Sequence, residues 1–259
     1  MTTSAGTYFP LHNLRLDSVY PTVEGYKGVT AVGLRADLSD QLVFSRIKLA
    51  ASYSPAKGIA AGERWHAGLT FNYLNIAVEA THNRSDFYDL FGPTKTSRKG
   101  NSLSVRYKKN LLFDEPITLD YTLQVAGYAN LETVPEYQNV AAPFDKLLSA
   151  SAGLNYANMR RSLGAIENEL GTSASLGIRS NLVNGELFPR LQAEVECGVL
   201  LPINHSSLWL RASAGQSLAA QKSDPFAKFY FGGFGNNWVD HLGVKRFRDS
   251  ESFPGLEIN

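Results

Sequence analysis

Alternation of apolar and polar residues with a period of two runs through most of this 259-residue chain and limits what it can fold into. In 64–74, Trp65 and Leu69 fall on one side of an extended backbone, whereas His66 and Thr70 fall on the other. Because successive side chains of a strand point to opposite faces, this pattern predicts about eleven amphipathic strands and an all-β fold. The same alternation recurs at 13–20, 29–38, 45–53, 75–83, 103–108, 117–125, 148–156, 170–182, 190–199 and 206–218.

The predicted strands are long, and many have about 9–12 residues. Strands of globular proteins average about five or six residues, whereas a tilted strand that crosses a bilayer needs about 9–11. Every second connection, beginning with the one between residues 20 and 29, is usually the longer one, which is typical of outer-membrane barrels. No run approaches 18 apolar residues, so the chain has no transmembrane helix, and a barrel is the membrane fold that its pattern permits.

Alternation alone does not decide between a soluble β-sandwich and a membrane barrel. Apolar faces turn inward in a sandwich, whereas they turn outward to lipid in a barrel. Aromatic residues lie near the ends of the apolar faces (Tyr53, Trp65, Tyr73, Tyr107, Tyr156), as an interfacial girdle requires. The polar face combines small residues with opposite charges, which predicts a lumen lined by Arg46, Lys48, Arg106, Asp120, Arg179, Glu194 and Arg211. We therefore expect an antiparallel transmembrane β-barrel in the bacterial outer membrane.

The sequence contains no recognisable catalytic or metal-binding motif. Its five histidines are scattered, its single cysteine is Cys197, and no G-x-S-x-G element is present. We therefore predict no enzyme activity, no cofactor and no metal site, although a barrel hydrolase could assemble Ser, His and Asp from separate strands. The net charge of +1 argues against a nucleic acid as partner.

The segment 228–259 carries the most specific motif. Its Phe231-Gly232-Gly233 element, followed by Gly235, resembles the aromatic-Gly-Gly element of the bacterial surface-antigen superfamily, the BamA/TamA type of outer-membrane assembly and translocation barrels. In that family a long loop then folds into the lumen and carries a Val-Arg-Gly-aromatic motif whose arginine docks on the barrel wall. Val244-Lys245-Arg246-Phe247 matches this motif except for its glycine, and Arg248 is a second candidate for the docking residue.

The resemblance implies that residues 1–259 are one partial barrel domain with a lumen-plugging loop at about 229–259. A family barrel has sixteen strands, of which about 11–12 are present here. We expect the remaining strands, a signal peptide and an N-terminal periplasmic or propeller domain outside this sequence. Segments 14–21 and 31–40 resemble barrels fused behind TolB-like β-propellers.

The function implied by the family is insertion or translocation of client outer-membrane or secreted proteins, or anchoring of an exported propeller. Alternatives are a passive outer-membrane channel or transporter, a soluble β-sandwich binding module and a barrel hydrolase.

Overall fold

Fifteen strands and two short 3₁₀-helices make up the computed structural model, which describes residues 8–84, 87–88, 96–97, 99–132, 144–203, 206–231 and 250–251. The helices cover Pro10–Asn13 and Ala61–Glu63. The strands are β1 (Arg15–Tyr26), β2 (Val29–Ser39), β3 (Ser45–Tyr53), β4 (Trp65–Tyr73), β5 (Ile76–His82), β6 (Phe87–Tyr88), β7 (Thr96–Ser97), β8 (Asn101–Asp114), β9 (Ile117–Ala129), β10 (Leu147–Arg160), β11 (Leu170–Val183), β12 (Glu186–Leu200), β13 (Ser207–Ser217), β14 (Tyr230–Phe231) and β15 (Ser250–Glu251).

Eleven of these strands form one antiparallel sheet in the order β1-β2-β3-β4-β5-β8-β9-β10-β11-β12-β13. The all-β class and the number of long strands are therefore confirmed. The sheet is not closed into a barrel, because β1 and β13 are its two edges within the described residues. β6 and β7 form a separate antiparallel pair, and β14 and β15 form a parallel one.

The connection after β1 differs from its prediction. It was expected to be one of the long loops, but β1 continues to Tyr26, and a tight turn at Lys27 and Gly28 leads directly into β2. Both turn residues have positive φ, 47° and 80°, as a two-residue hairpin turn requires. A bulge between Leu16 and Ser18 shifts the alternation, and the low strand propensity of Pro21 hides the continuation of the strand.

The turn after β1 lies at the same end of the sheet as the connections 54–64, 83–100 and 130–146, because consecutive strands run in opposite directions. The segment 218–229, which follows β13, begins at this end as well. We call this end of the sheet the long-loop rim.

The apolar side chains of the sheet lie on its exposed face. Leu34 is 59% exposed, Leu103 is 55% exposed, Leu176 is 50% exposed and Leu210 is 67% exposed. These fractions show that no second layer of the described residues covers this face. The described residues therefore do not form a sandwich, in which apolar faces of two sheets meet.

Contacts across several strands show that the sheet is strongly curved. The Glu24 carboxylate in β1 accepts hydrogen bonds from Ser52 in β3 (3.2 Å) and from Arg84 after β5 (2.6 Å). Lys27, after β1, forms an ion pair with Glu132, after β9, although six strand spacings of a flat sheet span about 29 Å. The sheet therefore bends toward the face that carries these polar residues, and we call it the concave face.

A buried apolar cluster lies on the concave face near the long-loop rim. It joins the ends of β9 to β12 to residues 218–229, which fold back onto the sheet and which we call the inward segment. The Phe226 ring lies 5.6 Å from Phe144 and 5.5 Å from Phe188, measured between ring centroids. The members of the cluster are Ala126, Tyr128, Leu131, Phe144, Leu147, Val183, Phe188, Ala219, Phe226 and Ala227.

Candidate functional site

The seven polar residues predicted to line a lumen share one face of the sheet but do not meet at one place. Directly opposite residues of neighbouring strands lie on the same face, and Arg46, Arg106 and Arg179 belong to one such row across the sheet. The other four residues point to the same face of the sheet from neighbouring rows; they are Lys48, Asp120, Glu194 and Arg211.

Two of these seven residues form ion pairs that sequence alternation does not specify. Asp120 pairs with Lys108 at 3.4 Å and accepts a hydrogen bond from Asn155 at 3.1 Å. Arg211 pairs with Glu196, directly opposite on β12, at 2.7 Å. The concave face therefore carries charge pairs between neighbouring strands.

Most of the C-terminal motif lies outside the described residues. Phe231 is described; it belongs to β14 and is 48% exposed. Gly232, Gly233, Gly235, Arg246, Phe247 and Arg248 are not among the described residues. The docking of Arg246 or Arg248 on the wall therefore stays a prediction.

The concave face has at least two cavities among the described residues, and the larger of these two, with a volume of about 580 Å³, lies over β1 to β5. Arg84 reaches across it to Glu24, and its guanidinium passes over Gly68. A Cβ atom at Gly68 would lie 2.4 Å from Nη1 of Arg84, so the glycine makes room for this ion pair. Other charged and hydroxyl groups that line the cavity are Thr22, Arg35, Lys48, Thr70, Glu79 and Thr81.

The smaller cavity, about 290 Å³, lies over β9 to β12 beside the inward segment. Arg179 and Arg190 line it from directly opposite positions, where like charges repel. The guanidinium of Arg190 turns to the inward segment, donates to the carbonyl oxygen of Lys228 at 2.9 Å and lies 5.5 Å from the Phe229 ring centroid. Arg190 thereby anchors the inward segment to the wall.

A buried histidine connects strands and loops at the long-loop rim. Nδ1 of His66 lies 3.1 Å from the carbonyl oxygen of Asn83, which can only accept, so Nδ1 carries the proton. In the neutral ring Nε2 then accepts from the Ser54 hydroxyl, at 2.8 Å. Because Ser54 has no exposed surface, this Ser-His pair does not present a nucleophile to a substrate.

Asn83 connects two loops through its side chain. Its amide nitrogen donates to the carbonyl oxygens of Gly62 (3.1 Å) and Trp65 (3.0 Å), and its amide oxygen accepts from the backbone N–H of Gly100 (3.1 Å). Its φ of 50° is one that asparagine tolerates better than most residues. The connection after β3 is thus fixed to the residue that precedes β8.

Four charged residues from four connections meet at the long-loop rim and form what we call the rim clasp: Lys27, Glu63, Lys99 and Glu132. The Lys27 ammonium lies 2.6 Å from Glu63 and also contacts Glu132, while Lys99 lies 3.7 Å from Glu63. Tyr26 donates a further hydrogen bond to Glu63 at 3.0 Å. The clasp joins connections that are far apart in sequence.

The clasp changes the pKa of its members. Burial alone would raise the pKa of the Glu63 carboxyl, but hydrogen bonds from Lys27 and Tyr26, together with the charges of Lys27 and Lys99, lower it below its ordinary value of 4.5. Burial alone would lower the pKa of the Lys27 ammonium, but its bonds to Glu132 and Glu63 raise it. Both groups are therefore charged at neutral pH.

We expect the Glu63→Gln variant to unfold more easily than the wild type at pH 7, by about 1–2 kcal/mol. Since the folded-state pKa of Glu63 is lowered, its stabilisation is complete above the unfolded-state value and is lost as pH falls through the folded-state pKa. The stability difference between the two proteins should therefore shrink below about pH 4.5. Urea unfolding in detergent micelles from pH 7 to pH 3 measures it.

Glu132→Gln is the matched control, because the Glu132 side chain is 43% exposed and that of Glu63 only 16%. An exposed ion pair contributes less than about 1 kcal/mol. A constant difference between wild type and Glu63→Gln down to pH 3 would contradict the role assigned to the clasp.

Sequence reasoning missed Glu24, Lys27, Glu63, Arg84 and Arg190. Alternation identifies the face of a residue within a strand, but Lys27, Glu63 and Arg84 lie in connections. The available signal was local: a charged residue beside a tight turn or immediately after a strand end is placed where a rim contact can form. Their partners lie 28 to 105 residues away, beyond any sequence pattern.

Among the described residues, no group of three or more His, Cys, Asp or Glu side chains is arranged to hold a metal ion. The described part of the chain contains no helix with the length and apolarity needed to cross a membrane. Comparison of the chain with protein-family models, with curated proteins and with solved structures found no match.

Proposed function

We propose that the chain forms part of the wall of an outer-membrane β-barrel that assists the insertion or translocation of other proteins. In this proposal the apolar convex face contacts lipid, the concave face lines a lumen, and the inward segment narrows that lumen. The bilayer is one partner, and client outer-membrane or secreted proteins are the others. Anchoring of an exported propeller domain is compatible with the same wall.

The distribution of exposed side chains carries the proposal. A soluble protein rarely exposes a continuous apolar patch larger than a few hundred Å², yet here leucine and valine side chains of most sheet strands are exposed on one face. Strands β8 to β12 have 13–15 residues, more than the 9–11 that a tilted strand needs to cross a bilayer. Lipid acyl chains are the medium that such a face requires.

The two sheet edges favour a role in protein insertion. β1 and β13 each have a neighbour on one side only within the described residues, so each presents a row of backbone donors and acceptors. In lipid such groups need partners, because no water is available to them. Further strands of the same wall, or an incoming strand of a client added by β-augmentation, would supply these partners.

A passive channel is the second candidate, and the polar cavities on the concave face favour it. Single-channel recording discriminates between the two. A wide and steadily open pore would support the channel, whereas small or intermittent conductance would support a lumen narrowed by the inward segment.

The orientation of the sheet is tested with two single-tryptophan variants, Leu123→Trp and Gln124→Trp, in a background that lacks the three native tryptophans. Residue 123 lies on the convex face and residue 124 on the concave face. In vesicles with brominated acyl chains, we expect fluorescence quenching at residue 123 and little at residue 124, since the quencher lies within the hydrocarbon layer. Equal quenching at both positions, or stronger quenching at residue 124, would overturn the lipid-facing assignment.

The insertion activity is tested by the folding of a urea-unfolded outer-membrane barrel protein into vesicles that contain this chain. We expect faster folding than in protein-free vesicles and in vesicles that hold a closed barrel without exposed edges. Equal rates in all three would refute the insertion role and leave the lipid-facing orientation as a separate question.

A further inference from the structure

The larger concave cavity separates a cation from an anion. Lys48 on β3, Thr70 on β4 and Glu79 on β5 are directly opposite one another in register, and all three line the cavity. Neighbouring strands are about 4.8 Å apart, so the backbones of Lys48 and Glu79 are about 10 Å apart. Within the described residues, neither side chain forms a hydrogen bond or an ion pair.

The cavity also contains unpartnered polar atoms among the described residues. Nε of Arg35 and Oγ1 of Thr22 are buried and find no hydrogen-bond partner in the described part of the chain, although both residues line the cavity. Arg35 on β2 is opposite Ala50, two residues from Lys48 along β3, so its Nε lies on the Lys48 side. Thr22 on β1, by contrast, is opposite Gly33 and lies farther along the cavity. Buried donors without a partner are costly, and such groups normally bind water or a ligand.

We propose that this cavity binds a small zwitterion of about the size of a dipeptide with free termini. Its carboxylate would bind Lys48 together with Arg35, and its ammonium group would bind Glu79. Two extended residues span about 7 Å. This length suits the distance between the charged groups of Lys48 and Glu79, because their side chains shorten the roughly 10 Å separation of their backbones. A volume of about 580 Å³ lies within the range of small-ligand sites.

The proposed site does not depend on what covers the convex face. The ion pair between Glu24 and Arg84 already neutralises two of the lining charges, and Asp37 pairs with Nη2 of Arg35, a third lining charge, at 3.3 Å. Lys48 and Glu79 remain as an opposite pair, so a ligand with both charges leaves the site balanced, whereas a plain anion or cation leaves one of them uncompensated. This reasoning favours a zwitterion over an inorganic ion.

The test measures binding of alanyl-alanine to the full chain in detergent micelles by calorimetry at pH 7, with N-acetyl-alanyl-alanine and alanyl-alanine amide as blocked probes. We expect the free dipeptide to bind at least about tenfold more tightly than either blocked form, the value of one charged hydrogen bond. Glu79→Gln should abolish the preference for the free amine, and Lys48→Gln should abolish the preference for the free carboxylate.

Arg106→Gln is the control, because Arg106 lies on the same face outside the cavity and should leave all three affinities unchanged. Urea unfolding of each variant verifies that it is folded. The proposal is overturned if alanyl-alanine does not bind the wild type at millimolar concentration, if the blocked forms bind equally well, or if each variant keeps both preferences. Each of these outcomes would mean that Lys48 and Glu79 do not form a zwitterion site in this cavity.

Discussion

Replacing Phe226 by alanine is expected to destabilise the folded chain by about 3–5 kcal/mol, the range for truncation of a buried phenylalanine. The Phe226 side chain is 4% exposed and packs against Phe144 and Phe188. Removing the ring leaves a cavity between the inward segment and the ends of β10 and β12. Because backbone bonds such as that from Ala227 to Asp224 hold the segment locally, the void is not expected to collapse.

Urea unfolding in micelles measures this loss, and Phe9→Ala is the matched control because Phe9 is 58% exposed. We expect the control to change stability by less than about 0.5 kcal/mol. Limited proteolysis should also cut the Phe226→Ala protein within 218–229 sooner than the wild type. Equal stability of the two variants would show that the cluster does not hold the inward segment.

The second large effect is expected from Gly33→Ala. We expect this substitution to lower the free energy of unfolding by about 3 kcal/mol or to prevent folding altogether. A Cβ atom at residue 33 would lie 2.0 Å from the carbonyl oxygen of Ala51 and 2.5 Å from Cα of Ser52, and backbone atoms cannot rotate away. Gly33 on β2 lies between β1 and Ser52 on β3, and Ser52 donates a hydrogen bond to Glu24 of β1 across this strand. A side chain at residue 33 would therefore also oppose the curvature that brings β1 and β3 together.

Gly62→Ala distinguishes this clash from a general intolerance of glycine replacement. No atom lies within 4 Å of a Cβ at residue 62, and Gly62 does not have positive φ. We expect an unchanged or slightly raised urea midpoint for this control, because alanine restricts the unfolded chain. A Gly33→Ala protein as stable as the control would contradict the close approach of β2 and β3.

Alternation was sufficient to predict the strands and their two faces, because a one-residue slip would reverse every side chain. It failed where the pattern is interrupted, because the bulge between Leu16 and Ser18 shifts the alternation and Pro21 conceals that β1 continues to Tyr26. Alternation also gives no information on whether the sheet closes into a barrel, because closure depends on what lies beside β1 and β13.

Alternation alone does not predict the inward segment, although the sequence contains an indication of it. Tyr128, Leu147 and Phe188 are large apolar residues at positions that alternation assigns to the polar face, and all three lie near the long-loop rim. Apolar residues on a polar face need a covering element, so these three could have indicated one. Which element covers them depends on contacts formed only in the folded chain.

The concave side is divided into two unlike halves. Over β9 to β12 it is filled by the aromatic cluster and the segment that Arg190 anchors, whereas over β1 to β5 it holds the larger polar cavity. The larger of the two cavities described on this side of the sheet therefore lies beside the first five strands. Substitutions in the aromatic cluster should therefore change stability without changing binding in the cavity, whereas substitutions of Lys48 and Glu79 should change that binding with little effect on stability.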